Sequence, residues 1–149
     1  MVPPFEPATG NLPPGIHEAT WTEVVAAFSY TERRQAMLDG LRIALGMLRT
    51  AGCRRVYLNG SFVTSKRDPG DFDACWEMEG VDLPRLARSA PVLFDFRPGR
   101  RAQKAEYGGE LFPIDPDDQP ETNVLRAFQR DQRTGEPKGI VVIDLGTLP

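Results

Sequence analysis

Apolar residues recur at three- and four-residue intervals through Met37, Leu41, Ala44, Leu45 and Leu48, while Arg33, Arg34, Asp39, Arg42 and Arg49 fall elsewhere. That period predicts an amphipathic helix running to about Thr50. Ser29-Tyr30-Thr31-Glu32 offers its start, and Ala51-Gly52 its end, with Gly52 as a left-handed cap. A shorter helix is predicted just before it. Thr20 and Glu23 have the spacing of a capping box, and Val24, Val25 and Phe28 supply the apolar side. Strand patterns follow at residues 55–59 and 71–78, separated by the turn residues Lys66-Arg67-Asp68-Pro69-Gly70.

Beyond the second strand, Asp82-Leu83-Pro84 starts a helix with proline in its tolerated first turn. Pro91 interrupts it, which predicts two short helical pieces ending near Phe96. Arg97-Pro98-Gly99-Arg100-Arg101 reads as a basic loop, and Gly108-Gly109 precedes a strand over residues 110–114. Residues 115–120 read as a loop, and residues 121–131 as a helix with Val124, Leu125 and Phe128 on one side. The turn Thr134-Gly135-Glu136-Pro137 leads into the apolar run Gly139 to Asp144, a pattern for a strand buried on both faces.

Helices interleaved with strands predict an α/β (α+β) fold, a mixed sheet of about four strands flanked by helices. The link from Gly60 to Asp71 is too short for a crossover helix, so the first two strands should be antiparallel neighbours. Residues 1–19 show no periodicity and are rich in Pro and Gly. They read as an extended arm anchored by Phe5, Leu12 and Ile16, leaving residues 20–149 as a single domain.

Composition narrows the class without naming a chemistry. With 40% hydrophobic and 26% charged residues, the chain has the balance of an ordinary globular protein. A formal charge of -3 argues against a strongly electropositive nucleic-acid binder. No run of about twenty apolar residues predicts a membrane span. The first residues lack the basic-then-apolar pattern of a secretory signal, so the expected location is cytoplasmic. Cys53 and Cys75 are too few for a disulfide framework and read as reduced, buried thiols. His17 is the single histidine, which leaves no His/Cys metal cluster. Trp21 and Trp76 lie in apolar contexts and are assigned to the core. Tyr107 is open between stacking on a base and packing.

The chemistry concentrates in one stretch. Val56-Tyr57-Leu58 runs into Asn59-Gly60-Ser61, and nine residues later come Asp71-Phe72-Asp73. On a strand, residues two apart share a face, so Asp71 and Asp73 project together. Paired carboxylates favour a divalent cation that relieves their repulsion. The Gly60-Ser61 turn offers backbone amides and a hydroxyl to a phosphate. Together these residues point to phosphoryl or nucleotidyl transfer.

Gly60-Ser61, the nine-residue spacer and Asp71-x-Asp73 resemble the signature of the DNA polymerase beta-like nucleotidyltransferase superfamily. The chain is similar in particular to small, minimal-nucleotidyltransferase-like domains in an uncharacterised bacterial family. That narrower resemblance rests on Leu12 to His17, Asn59 to Lys66, Gly108 to Pro113 and Pro137 to Leu145. The superfamily resemblance implies that Asp71 and Asp73 hold two Mg2+ ions positioning a nucleoside triphosphate. It also implies that Gly60, Ser61, Thr64, Ser65 and Lys66 bind the triphosphate, with Arg67 in support. Arg100, Arg101 and Lys104 form a second basic cluster for phosphates or a polynucleotide acceptor.

Such enzymes take a third carboxylate from a neighbouring strand. Glu110 is the first choice for it, with Asp115, Asp95 and Asp144 as alternatives, whereas Glu77 lies roughly 13 Å beyond Asp73 at strand spacing. The implied reaction moves a nucleoside monophosphate from a triphosphate to a hydroxyl of an RNA, such as a transfer RNA, or of a protein. A toxin–antitoxin or phage-defence module, with a cognate antitoxin as partner, is the implied setting. The alternative is a non-catalytic nucleotide-binding or protein-interaction module that keeps the fold.

Overall fold

The computed structural model describes residues 1–115, 117 and 124–149. The chain opens with an irregular segment that ends in strand β1 (Gly15–Ala19), followed by helices α1 (Trp21–Phe28) and α2 (Glu32–Thr50). Strand β2 (Arg55–Asn59) leads into a short 3-10 turn at Gly60–Val63, and then β3 (Phe72–Glu77) and α3 (Leu83–Ser89) follow. Helix α4 (Arg101–Tyr107), strand β4 (Gly109–Ile114), the short helix α5 (Val124–Ala127) and strand β5 (Gly139–Asp144) complete the order.

The five strands form one mixed sheet in the order β1-β5-β2-β3-β4. Strands β2 and β3 are antiparallel, as the short link between them requires, while β3–β4 and β1–β5 are parallel. The expected count of about four strands falls one short. The fifth is β1, carved from the end of the predicted arm. It lies at an edge, paired on one side only, and three of its five residues are exposed, so it carries little hydrophobic signal. Ile16, expected as an anchor, is 44% exposed there, whereas Leu12 is fully buried and Phe5 packs on Phe28 with ring centroids 6.1 Å apart. His17 has a local structural role, its Nε2 lying 2.6 Å from the Pro13 carbonyl oxygen.

The two faces of the sheet differ. Val56, Leu58, Phe72, Ala74, Trp76, Leu111, Val141 and Ile143 join the buried residues of α1 and α2 and Leu86 of α3 in the main core. The opposite face holds a smaller cluster of Tyr57, Cys75, Ile114, Ile140 and Val142, covered in part by Phe112, Leu125 and Phe128. Burial on both faces makes β5 an unbroken apolar run, as its sequence predicts.

Local signals account for most boundaries. Thr20 and Glu23 form the reciprocal capping box of α1, and Thr31 caps α2. Gly52 follows the end of α2 at φ +102°, where a side chain would be strained and a Cβ would meet the Gly80 carbonyl oxygen at 2.5 Å. Trp21 and Trp76 are core residues, both cysteines are buried, and Tyr107 is too buried to stack on a ligand.

Further expectations are corrected. The stretch after Gly99 is not only a basic loop, because Arg101–Tyr107 is helical. Its weak apolar signal follows from its packing: among its residues Gln103 and Tyr107 are the buried ones, and Gln103 works through hydrogen bonds to Leu93 and Leu111. Arg34, placed among residues facing away from the core, is completely buried. Of the predicted helix over 121–131, residues 121–123 lie outside the described residues. Helix α5 covers Val124–Ala127, and turn follows from Phe128.

Candidate functional site

The site begins with a row of side chains across three strands. Antiparallel pairing sets Asn59 opposite Asp73, and parallel pairing sets Asp73 beside Glu110. Directly paired residues share a face, so the row lies on the sheet face opposite α1 and α2. Asp71 precedes β3 and joins this group through Lys104, whose Nζ is 3.4 Å from Asp71 Oδ2 and 3.1 Å from Glu110 Oε1.

Charge accumulates on Asp73. Burial, then Asp71, then Glu110 push its pKa up to about 7, and Lys138 and Lys104 oppose them only in part. Asn59 is fully buried, and its Oδ1 has no hydrogen-bond partner among the described residues. Glu110 is thus the acid that the fold sets beside Asp73. The alternatives stand elsewhere. Asp95 bonds Arg97, Asp115 accepts from the Asp117 amide, and Asp144 pairs with Arg55 at the opposite end of β2 from Asn59. Glu77 accepts the Tyr57 hydroxyl at 2.7 Å, well removed from the row.

The strand-to-turn junction completes the site. Gly60 has φ +78°, and a Cβ there would lie 2.3 Å from Asp73 Oδ2, so only glycine admits this approach of loop and acid. The loop after it is fixed from beneath. Arg34 Nη1 donates to the Phe62 carbonyl at 2.7 Å, and Nη2 donates to the carbonyls of Thr64 at 2.7 Å and Lys66 at 2.6 Å. Tyr30 and Phe62 place their rings over the guanidinium at 4.3 and 5.0 Å.

A cavity of about 530 Å³ opens against this loop. Gly60, Ser61, Thr64, Ser65, Lys66 and Asp73 form one part of its wall. Phe128, Arg130, Asp131, Arg133 and Lys138 form another. The structure therefore gathers all five loop residues singled out in the sequence around Asp73. Asp71 and Glu110 do not line the cavity and are tied to Lys104 instead.

Four cations against two carboxylates give this cavity an anion-binding balance. Lys138 is the most pointed of them. Burial lowers its pKa, yet Asp131 and Asp73 attract it. Lys138, Arg130 and Arg133 were not singled out in the sequence. They lie in a turn-rich stretch whose relation to Gly60 exists only after folding, although Pro137-Lys138 directly before a buried strand was a signal. Arg100 and Arg101, expected beside Lys104 as a basic cluster, are apart from the cavity. The Arg100 guanidinium stacks on Phe112 at 4.1 Å and donates to the Leu111 carbonyl.

Asp71, Asp73 and Glu110 offer hard oxygen ligands of the type magnesium takes. As the side chains stand, no group of three or more His, Cys, Asp or Glu among the described residues is arranged to hold a metal ion. The Lys104 ammonium bridges two of the three acids.

A family model described as "Family of unknown function (DUF6932)" matches residues 3–144, from the N-terminal segment to the last residue of β5. The chain belongs to that family. No curated protein and no solved structure matches it.

Proposed function

We propose that this protein is a magnesium-dependent nucleotidyltransferase of the DNA polymerase beta-like type, acting on a hydroxyl of an RNA or protein acceptor. The observation that carries this reading is the single cavity wall in which Gly60, Ser61, Thr64, Ser65 and Lys66 meet Asp73. A triphosphate needs cations and hydroxyl donors along one surface, and Ser61, Lys66 and Lys138 provide them. Phe128, packed on Phe112 with centroids 5.6 Å apart, offers an aromatic wall to a base.

Asp71, Asp73 and Glu110 would hold the metal, after Lys104 gives up its two carboxylates. Magnesium, when bound, would supply charge stabilisation at the phosphorus undergoing substitution. Glu110, in register with Asp73 as the third acid, would accept the proton of the attacking hydroxyl when ionised. A cognate antitoxin as partner and a phage-defence setting belong to the same proposal.

Calorimetry with ATP and Mg2+ on the full chain tests it. Binding should require the metal and fall severely in Asp71→Asn and Asp73→Asn, and unchanged binding in either variant would count heavily against the metal site. Incubation with labelled triphosphates and an extract of RNA and protein then tests transfer. The second reading, a nucleotide-binding module without catalysis, is favoured by the Lys104 bridge across Asp71 and Glu110. Metal-independent binding with no label transferred would establish it.

A further inference from the structure

Arg34 has no role in the proposed chemistry, yet few side chains of this protein are more fully committed. It lies in the first turn of α2 and is completely buried. Its Nε and both terminal nitrogens donate to backbone carbonyls, those of Phe28, Phe62, Thr64 and Lys66. Among the described residues it has no carboxylate within ion-pair distance. A buried guanidinium without an ion-pair partner is costly, and carbonyl dipoles and the rings of Tyr30 and Phe62 offset that cost here. An apolar side chain of similar volume would fill the space but take those donors from the carbonyls, so the fork serves the loop that it holds.

The neighbours of Arg34 act on the same loop. The Tyr30 hydroxyl donates to the Thr64 carbonyl at 2.8 Å, and the Thr31 hydroxyl to that of Arg67 at 3.1 Å. Arg33 donates to the carbonyls of Pro69 at 2.6 Å and Gly70 at 3.0 Å. The start of α2 thus grips the loop by its carbonyls, from Phe62 to the residue before Asp71. Its side chains at Ser61, Thr64, Ser65 and Lys66 are left to line the cavity. Cβ and C=O leave the backbone in different directions, so anchoring the carbonyls sets where those side chains point.

We propose that Arg34 is a positioning residue for anion binding. It holds the Gly60–Lys66 loop from within, so that Ser61 and Lys66 converge on a phosphate chain, and its charge adds to the attraction. This rests on reading the cavity as a phosphate site.

Inorganic tripolyphosphate, titrated calorimetrically into the full chain, tests it. Lys66→Ala should weaken binding about tenfold, the effect of one charge-assisted contact. Arg34→Lys keeps the charge but loses the planar fork. It should weaken binding by about tenfold or more at a temperature where circular dichroism shows it folded. Adding Lys66→Ala to Arg34→Lys should then cost less than about twofold more, because Lys66 is already out of place. A merely structural Arg34 would leave affinity at the wild-type level in the folded variant, and the full Lys66 effect would persist in the double variant. Either result overturns the proposal.

Should Arg34→Lys fail to fold, Tyr30→Phe removes one donor from the Thr64 carbonyl and should weaken binding about threefold. Unchanged affinity there also overturns the proposal. Absence of binding by the wild-type chain overturns the phosphate-site reading itself and this inference with it. Wild-type binding combined with insensitive variants overturns this inference alone.

Discussion

Arg34 and Lys104 each bring a cation to the polar part of this molecule, but Arg34 faces carbonyls whereas Lys104 faces carboxylates. The Arg34 partners do not titrate, and the side chain is sealed from water. The Lys104 partners are Asp71 and Glu110, and its side chain remains 40% exposed. The first arrangement is permanent; the second is exchangeable. A divalent ion can compete for two carboxylates in reach of solvent, while the Arg34 guanidinium is out of reach of any ion in solution.

The contrast is broken most severely by Arg34→Met. Removing the fork takes a donor from each of the carbonyls of Phe62, Thr64 and Lys66, of which Thr64 keeps the Tyr30 hydroxyl, and should cost about 2 kcal/mol in urea unfolding. A loss smaller than about 1 kcal/mol would mean that water replaces the side chain freely and that the loop is not held from within.

Gly60→Ala strikes where the two regions touch. Its Cβ would meet Asp73 Oδ2 at 2.3 Å on a backbone of positive φ, and destabilisation of about 2 kcal/mol is expected. Asp73 should also be displaced, visible as altered chemical shifts for both Asp73 and Glu110.

Asp73→Asn works in the opposite direction. The pKa of Asp73 is raised to about 7, first by burial and then by Asp71 and Glu110. The protonated form is therefore favoured in the folded state. Its contribution is fully present below about pH 4 and is lost as pH rises through about 7. In metal-free buffer the wild-type chain should lose thermal stability across that window. Asp73→Asn should flatten the profile and gain about 2 kcal/mol over wild type at pH 8. Parallel profiles for the two proteins would show that burial and the neighbouring acids do not raise the Asp73 carboxyl.

The smallest effect on stability is expected from Lys104→Met, less than about 1 kcal/mol, because its pairs are partly exposed. Its effect on metal binding should be larger. Manganese binding, followed by its paramagnetic resonance signal, should tighten about tenfold once the competing ammonium is gone. Unchanged or weaker binding would make Lys104 a supporting residue rather than a competitor.

How far the sequence carried this picture depended on range. The caps at Thr20 and Asp82, the pairing of β2 with β3, and the buried run of β5 come from neighbours within a few residues. The loop residues Gly60, Ser61, Thr64, Ser65 and Lys66 and the acids Asp71 and Asp73 were visible for the same reason, as one short stretch. Glu110 was nameable only as one of several acids, because its choice depends on which residue registers with Asp73. Strand β1 was hidden by the exposure of an edge, and α4 by burying Gln103 and Tyr107 rather than an apolar stripe.

By itself, the sequence determined that a glycine-serine turn and two acids would stand at the ends of adjacent antiparallel strands, since a short link permits little else. Tertiary structure alone decided what surrounds them. It brought Arg130, Arg133 and Lys138 to the cavity, set Glu110 beside Asp73, lent Lys104 to the acids and buried Arg34 under the loop. An arginine at a helix start carries no mark of burial in its own sequence. Its place is fixed by carbonyls about thirty residues away, which meet it only when the sheet and α2 have packed.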